Sequence, residues 1–330
     1  MTDAVLLAAL LAGTGGAAPA PPATGAGRGA GRVIEGSFRN AAGERRYKLF
    51  LPDGAARGAS PALVVVLHGC TQDAADIARG SRMNEGAEGR GWMVLYPEQS
   101  AADNPRKCWN WYDAAHQARG AGEPSIIAGL TAQVAEEYGV SPERTWLTGI
   151  SAGAAMASLV AAAYPERYAA IALHSGLVHS ATGSVAGALG VMQKGVPSPE
   201  PHAERAHAAM GEHARVIPAL VIHGGSDAVV VPINGAQAAR QWFLTNALAM
   251  GQPLDTTSGA SDHSVREENG YEVRRSTYRA RSGVALAQLV MVMGLGHAWS
   301  GGSADGTFTD ARGPSATAMI LDFFARQGAR

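Results

Sequence analysis

The sequence predicts an α/β protein in which a mostly parallel sheet carries helices on both faces. Short apolar runs recur along the chain, and the run at 63–67 (Leu-Val-Val-Val-Leu) has the length and character of a strand buried on both faces. Helical patterns separate these runs, and strands that alternate with helices form parallel sheets. Of the 330 residues, 46% are hydrophobic and 17% are charged, which is the composition of a globular protein.

The predicted elements follow one another in a regular order. The predicted strands lie at 45–51, 63–67, 92–96, 145–148, 170–173, 219–222 and 289–293. The predicted helices lie at about 74–90, 125–138, 152–163, 235–249 and 315–326. Residues 261–281 are polar with a β-pattern, so we expect an antiparallel excursion before the last strand. Residues 178–215 combine glycine, proline and a short Ala-rich helix, and we expect them to form a partial lid.

The chain is predicted to consist of a leader at 1–32 and a single α/β domain at 33–330. Residues 4–11 are apolar and precede small residues, as in a signal peptide, although Asp3 stands where a basic residue is usual. We therefore expect secretion or export to the periplasm. A cytoplasmic protein with a disordered Gly/Pro/Ala-rich leader is the alternative.

Charge and hydropathy exclude several classes of partner. The net charge is −1 and there is no run of Lys and Arg, so we expect no nucleic acid partner. No apolar run approaches the ~20 residues of a membrane-spanning helix, so we expect no stable membrane insertion. The residues His202, His207 and His213 do not share one helix face and no HExxH motif is present, so we predict no metal site.

The strongest motif is Gly149-Ile150-Ser151-Ala152-Gly153, which follows a predicted strand and opens an Ala-rich helix. This context is typical of the nucleophile turn of an α/β-hydrolase. Glycines on either side of the serine leave room for the backbone of a sharp strand-to-helix turn. The sequence thus predicts Ser151 as a catalytic nucleophile.

A nucleophilic serine needs a base and an acid that orients the base. In this fold the order along the chain is Ser, then Asp or Glu, then His, each after a strand. Asp227 follows the run 219–222 and His297 follows the run 289–293, so we predict Asp227 as the orienting acid and His297 as the general base. A helix-capping role for Asp227 and a surface position for His297 are the alternatives. Asp255, Asp262 and His263 fit less well, because they lie in the polar excursion.

A transition-state oxyanion needs backbone N–H donors near the serine. The predicted donors are Ala152, which follows the serine, and Cys70 in the loop His68-Gly69-Cys70-Thr71-Gln72 after the strand at 63–67. His68 is an alternative base, although a histidine before glycine in this loop more often braces the loop. Two cysteines, Cys70 and Cys108, allow one disulfide or two free thiols.

Four motifs occur in order: HGCTQ, Cys108-Trp109-Asn110-Trp111, GISAG and GHAWSGG. With them the sequence resembles the poly(3-hydroxybutyrate) depolymerase family of esterases, which is related to feruloyl and acetylxylan esterases, from about residue 33 to 327. The resemblance implies an α/β-hydrolase fold and a catalytic triad of Ser151, Asp227 and His297. One departure is Ala154, where a third glycine is common.

The resemblance also implies roles for both cysteines. If Cys70 and Cys108 form a disulfide, Trp109 stands beside the oxyanion loop. We then expect Trp109 and Trp111 to bind substrate on one side of the site and Trp299 on the other, with core packing as the alternative.

The predicted function is hydrolysis of carboxylic esters through an acyl-enzyme, without a cofactor. Poly- or oligo(3-hydroxybutyrate) or a related short-chain polyester is the expected substrate, and a feruloyl or acetyl ester of plant polysaccharide is the alternative. An acyltransferase would use the same triad and exclude water. A non-catalytic binding protein would not need all three groups at strand ends.

Overall fold

The computed structural model of the protein describes residues 31–53, 61–252 and 259–328, and a ten-stranded sheet forms its centre. The strands of this sheet are β1 (Arg32–Asn40), β2 (Gly43–Leu51), β3 (Leu63–Leu67), β4 (Met93–Glu98), β5 (Thr145–Ile150), β6 (Ala170–His174), β7 (Ala219–Gly224), β8 (Asp262–Glu268), β9 (Tyr271–Arg279) and β10 (Ala285–Val292). Two short strands, β11 (Trp299–Ser300) and β12 (Thr309–Asp310), pair separately.

The strand order in the sheet is β1-β2-β4-β3-β5-β6-β7-β10-β9-β8. The six strands from β4 to β10 in this order are parallel. The outer strands β1 and β2 on one side, and β9 and β8 on the other, pair antiparallel. The hairpin of β8 and β9 is the antiparallel excursion that the sequence predicted at 261–281.

Strand β3 shows why the central strands have continuous apolar runs. Leu63, Val65 and Leu67 belong to the hydrophobic core on one face of the sheet, and Val64 and Val66 belong to the core on the other. Side chains alternate between faces along a strand, so both faces must be apolar when helices cover both.

The helices are α1 (Ala74–Ser81), α2 (Met83–Glu88), α3 (Gly122–Tyr138), α4 (Ala152–Ala163), α5 (Val185–Lys194), α6 (Glu200–Met210), α7 (Ile233–Ala249) and α8 (Ala316–Gln327). Helices α1, α2 and α8 pack in the core on one face, and α3, α4, α6 and α7 pack in the core on the other. The two-faced arrangement predicted from the sequence is confirmed. In the described part of the chain, none of these helices is long and apolar enough to cross a membrane.

The structure differs from the sequence prediction in several elements. Residues 178–215, expected to contain one short helix, contain α5 and α6, and the short strands β11 and β12 were not predicted. The single helix expected at 74–90 is two helices, because Arg82 has a left-handed φ of 56° that interrupts the first. Strand β1 was not predicted; it lies at an edge of the sheet and most of its side chains are exposed or half-buried, so it has no apolar run. The leader proposed at 1–32 falls almost wholly outside the described residues, so the division into leader and domain stays a prediction.

Candidate active site

Four of the predicted site residues follow parallel strands of the sheet. Cys70 follows β3, Ser151 follows β5, Asp227 follows β7 and His297 follows β10. Because the carboxyl ends of parallel strands meet at one edge, loops from distant parts of the chain come together there. Cys70, Ser151 and His297 line the same cavity.

Ser151 occupies a strained turn between β5 and α4. Its φ is 58° and its ψ is −123°, and its N–H donates to the carbonyl of His174 at 2.9 Å. A Cβ on Gly149 would lie 2.6 Å from the carbonyl carbon of Gly153, and a Cβ on Gly153 would lie 2.2 Å from the carbonyl oxygen of Leu67. Both glycines of the motif are therefore required by the close approach of backbone to backbone. Strained backbone of this kind concentrates at functional sites.

His297 and Asp227 form a direct hydrogen bond. Nδ1 of His297 lies 2.7 Å from Oδ2 of Asp227. A carboxylate can only accept, so Nδ1 carries the proton and Nε2 has its lone pair free to accept another. This tautomer is the one that a general base for a serine hydroxyl requires.

The carboxylate of Asp227 is held by three donors. Its Oδ1 accepts from the N–H groups of Val229 at 2.9 Å and Val230 at 2.8 Å, and its Oδ2 accepts from His297. Burial alone would raise the pKa of Asp227. The hydrogen bonds from His297 and Val230 and the charges of His297 and His223 together outweigh it, so the pKa lies below its ordinary value. The acid is thus ionised at neutral pH, as an orienting group must be.

The cavity beside Ser151 has mostly apolar walls. Aliphatic and aromatic side chains surround the polar groups: Trp111, Tyr112, Leu177, Ala188, Leu189, Met192, Val229, Val230 and Phe308. Three of them, Ala188, Leu189 and Met192, lie on α5, within the segment 178–215 expected to form a lid. The helix contributes to the wall, and movement of the segment as a lid stays a prediction.

The two predicted oxyanion donors also line this cavity. Ala152 is the first residue of α4, where N–H groups have no acceptor within the helix. A disulfide joins Cys70 to Cys108, with 4.1 Å between their Cα atoms, as the family resemblance implied. The bridge ties the loop after β3 to the segment that contains Trp111.

His68, the alternative base, does not line the cavity. It is fully buried, its Nδ1 donates to the carbonyl of Gly69 at 2.7 Å, and its Nε2 accepts from the N–H of Gln99 at 3.0 Å. Burial lowers the pKa of His68 to about 4. Both ring nitrogens are engaged, so His68 braces the loop that carries Cys70.

The three predicted tryptophans have different positions. Trp111 lines the cavity, but Trp109 and Trp299 are not in its wall. Trp109 is fully buried with its ring 5.5 Å from that of His68. Trp299 is fully buried, stacks on His174 at 5.1 Å, and donates through Nε1 to Oγ1 of Thr317 at 3.1 Å. Core packing, the alternative interpretation, is what the structure shows for these two residues.

Several residues of the cavity wall were not predicted from the sequence. Leu189 and Met192 lie in the segment 178–215, where a helix was expected, but the sequence did not predict that these two residues face the cavity. Phe308 belongs to a loop without any recognisable motif.

The other candidate acids and histidine lie outside the cavity wall or outside the described residues. Asp262 and His263 lie on β8, outside the wall, and Asp255 is outside the described residues. Among residues 31–53, 61–252 and 259–328, no group of three or more His, Cys, Asp or Glu side chains is placed to hold a metal ion.

The sequence and fold are similar to those of known esterases. The chain is 30% identical over 241 residues to a poly(3-hydroxyalkanoate) depolymerase C of Paucimonas lemoignei, covering 72% of this chain and 55% of the relative. It is 29% identical over 205 residues to a feruloyl esterase B of Neurospora crassa, covering 60% of this chain and 68% of the relative. The chain thus spans little more than half the length of the depolymerase it matches.

A solved structure of an acetyl xylan esterase from Aspergillus awamori has the same fold. It superposes with a TM-score of 0.67 at 23% sequence identity, covering 81% of this chain and 94% of the other. The α/β-hydrolase fold expected from the sequence is confirmed. Residues 45–269 match the family described as esterase PHB depolymerase. The chain therefore belongs to the poly(3-hydroxybutyrate) depolymerase family of esterases.

Proposed function

We propose that the protein is a serine esterase that hydrolyses carboxylic esters through an acyl-enzyme. The observation that carries the proposal is the shared cavity of Ser151 and His297, together with the 2.7 Å hydrogen bond from His297 to Asp227. In this scheme Ser151 is the nucleophile, His297 is the general base and Asp227 orients His297. The family to which the chain belongs supports ester hydrolysis as the reaction.

The reaction proceeds in two acyl-transfer steps. In the first, Nε2 of His297 takes the hydroxyl proton while Oγ of Ser151 attacks the ester carbonyl carbon. The same proton passes to the alkoxide oxygen as the C–O bond breaks, so the alcohol leaves and the acyl group stays on Ser151. Water then attacks the acyl-enzyme with His297 again as base, releasing the carboxylic acid and restoring the serine hydroxyl.

The N–H groups of Ala152 and Cys70 are the proposed oxyanion donors. Both residues line the cavity with Ser151. Donors fixed in place before the reaction stabilise the charge that develops on the carbonyl oxygen, and the loss of one such donor costs about 10²–10³ in kcat. The disulfide and the bonds of His68 fix the loop on which the Cys70 donor lies.

The proposed substrates are short-chain polyesters or their oligomers, with 3-hydroxybutyrate esters as the first choice. The apolar walls formed by α5 and by Val229 and Val230 suit an aliphatic acyl chain. The likeness to a poly(3-hydroxyalkanoate) depolymerase also supports this class. Feruloyl or acetyl esters of plant polysaccharide are the second candidate, because Trp111, Tyr112 and Phe308 place aromatic rings in the wall that suit a feruloyl ring.

Export to the periplasm or the medium is part of the proposal. The disulfide between Cys70 and Cys108 supports it, because disulfides persist in oxidising compartments. N-terminal sequencing of the mature protein from the native host, after fractionation, tests this point. A mature chain that begins near residue 20 in the periplasm or medium is expected, and an intact Met1 in the cytosol would contradict export.

The test of the catalytic proposal uses p-nitrophenyl butyrate, methyl ferulate and emulsified poly(3-hydroxybutyrate). Ser151→Ala is expected to lower kcat by at least about 10⁴-fold on every ester that the wild type cleaves. Ser264→Ala, at an exposed position on β8, is the matched control and should retain wild-type rates. A fluorophosphonate should label the wild type at Ser151 and leave the Ser151→Ala variant unlabelled.

The outcomes separate the candidate functions. Hydrolysis of butyrate and polyester supports the first substrate class, and hydrolysis of methyl ferulate alone supports the second. Transfer of the acyl group to an added alcohol in excess of hydrolysis, at modest alcohol concentration, would indicate an acyltransferase. Equal rates for the wild type and Ser151→Ala would refute the mechanism.

A further inference from the structure

Gln72 joins two loops of the cavity wall through one side chain. Its amide is buried, with 2% of the residue exposed, and the residue lines the cavity. Oε1 accepts from the N–H of Gly69 at 2.8 Å, and Nε2 donates to the carbonyl of Thr307 at 3.0 Å. The first bond holds the loop that carries Cys70, and the second holds a loop more than two hundred residues later in the chain.

The second loop is fixed on both sides of its contact with Gln72. Asp76 on α1 accepts from the N–H of Thr307 at 3.1 Å and also from its hydroxyl. The next residue, Phe308, has a left-handed φ of 52°, and its carbonyl accepts from the N–H of Trp299 at 2.7 Å. A non-glycine residue keeps such a conformation only where its surroundings hold it there.

Phe308 in turn contacts the proposed general base. Its ring meets the ring of His297 edge to face, with 6.3 Å between centroids and an interplanar angle of 76°. Phe308 also lines the cavity. The path from Gly69 through Gln72, Thr307 and Phe308 therefore connects the backbone beside the oxyanion donor to the imidazole.

We propose that Gln72 is a positioning residue that fixes the Gly69–Cys70 backbone relative to His297. This inference rests on the proposed function, in which Cys70 donates to the oxyanion and His297 is the base. The amide supplies an acceptor for Gly69 and a donor for Thr307 without burying a charge. Glutamate would lack the donor, and methionine would fill the space with neither group.

Gln72→Met is the principal test, because it preserves side-chain length and removes both hydrogen bonds. A displacement of about 1 Å at a reacting group lowers the rate by up to about 10²-fold. We expect kcat on p-nitrophenyl butyrate to fall 10–100-fold while KM changes less than threefold. Affinity for butylboronic acid, which forms a tetrahedral adduct with the serine, should fall in parallel, while inhibition by butyrate should not change.

Gln241→Met is the matched control. Gln241 on α7 is fully buried, its Oε1 accepts from the N–H of His179 at 3.1 Å, and its Nε2 donates to Oγ1 of Thr245 at 2.9 Å. The glutamine thus has the same kind of bonding but lies outside the cavity wall. Both variants are assayed below their melting temperatures, with active protein counted by fluorophosphonate titration. Gln241→Met should lose stability and keep its kcat and boronate affinity.

A second variant tests the same positioning role through the loop that contains Thr307. Asp76→Asn weakens the bonds to Thr307 without touching Gln72, and it should lower kcat and boronate affinity together by 3–10-fold. It replaces Gln72→Met in the comparison if the latter does not fold.

Four results decide the inference. Parallel loss of kcat and boronate affinity in Gln72→Met, absent from Gln241→Met, supports it. Equal losses in the two glutamine variants, or a loss of kcat with unchanged boronate affinity, would overturn it while leaving the esterase mechanism standing. Full activity of Ser151→Ala would instead overturn the proposed function, and this inference with it.

Discussion

Three buried histidines make the protein sensitive to mild acid. His68, His174 and His179 are at most 2% exposed. Burial lowers the pKa of His68 and His179 to about 4 and that of His174 to about 3, where the nearby imidazoles of His223 and His297 add to the effect. The folded protein therefore keeps all three rings neutral at pH values where the unfolded chain protonates them.

The sign and size of the effect follow from these pKa values. An unfolded histidine has a pKa of about 6.5, so the stabilisation is complete above that pH and is lost as the pH falls towards the folded pKa. Half of the unfolded histidines are protonated at pH 6.5, so each histidine costs about 1 kcal/mol between pH 6.5 and 5.5, and three cost about 3 kcal/mol. A typical domain has a free energy of unfolding of about 5–15 kcal/mol, so the loss is large.

Urea denaturation at pH 7.5, 6.5 and 5.5 measures this loss. The free energy of unfolding of the wild type should fall by about 1 kcal/mol from pH 7.5 to 6.5 and by about 3 kcal/mol from pH 6.5 to 5.5. His179→Gln, outside the cavity wall, should reduce the loss between pH 6.5 and 5.5 by about 1 kcal/mol. His263→Gln, at an exposed position on β8, should keep the wild-type slope. A flat wild-type profile down to pH 5.5, or an unchanged slope in His179→Gln, would refute the reasoning.

Four further predictions concern the site and its support. Gly153→Ala should lower the free energy of unfolding by about 3 kcal/mol, measured in urea, because its Cβ would lie 2.2 Å from the backbone carbonyl oxygen of Leu67 and the backbone would have to shift. Asp227→Asn should fold normally, since its Oδ1 still accepts from two N–H groups, but kcat should fall about 10⁴-fold at neutral pH because the amide favours the wrong tautomer of the histidine. Replacing Cys70 and Cys108 together by serine should lower the free energy of unfolding by about 4 kcal/mol, since the bridge closes a loop with a sequence separation of 38. Leu189→Trp should narrow the cavity and lower kcat/KM about tenfold for butyrate esters, with a smaller change for acetate esters in the same spectrophotometric assay.

The site residues that could be predicted from the sequence are those whose position depends on neighbouring residues in the chain. Ser151 was recognisable because the close approach of the chain at residues 149 and 153 admits only glycine, and this requirement appears directly in the motif. Asp227 and His297 were recognisable because each follows an apolar run that forms a central strand. Their hydrogen bond is present in the structure, and their catalytic roles stay proposals.

The parts that the sequence did not predict depend on tertiary contacts. Tryptophan suits a cavity wall and a buried core equally well, so the sequence does not show that Trp111 lines the cavity while Trp299 packs in the core. The buried position of Trp299 depends on a tertiary contact, the hydrogen bond from its indole N–H to Thr317 on α8. Phe308 reaches the cavity through a loop whose conformation is set by Asp76 and Gln72, far away in the chain. The break likewise falls at Arg82, which is neither glycine nor proline, although Gly80 lies two residues before it.

Helix α4, which begins beside Ser151, has no solvent-exposed face. All twelve of its residues are buried, and most are alanine, which lets the helix lie close to the sheet. Amide protons in such a helix exchange with solvent only when the whole domain unfolds. The proposed nucleophile is thus attached to a part of the molecule that we expect to open last, and we expect any motion that admits substrate to come from the opposite wall of the cavity.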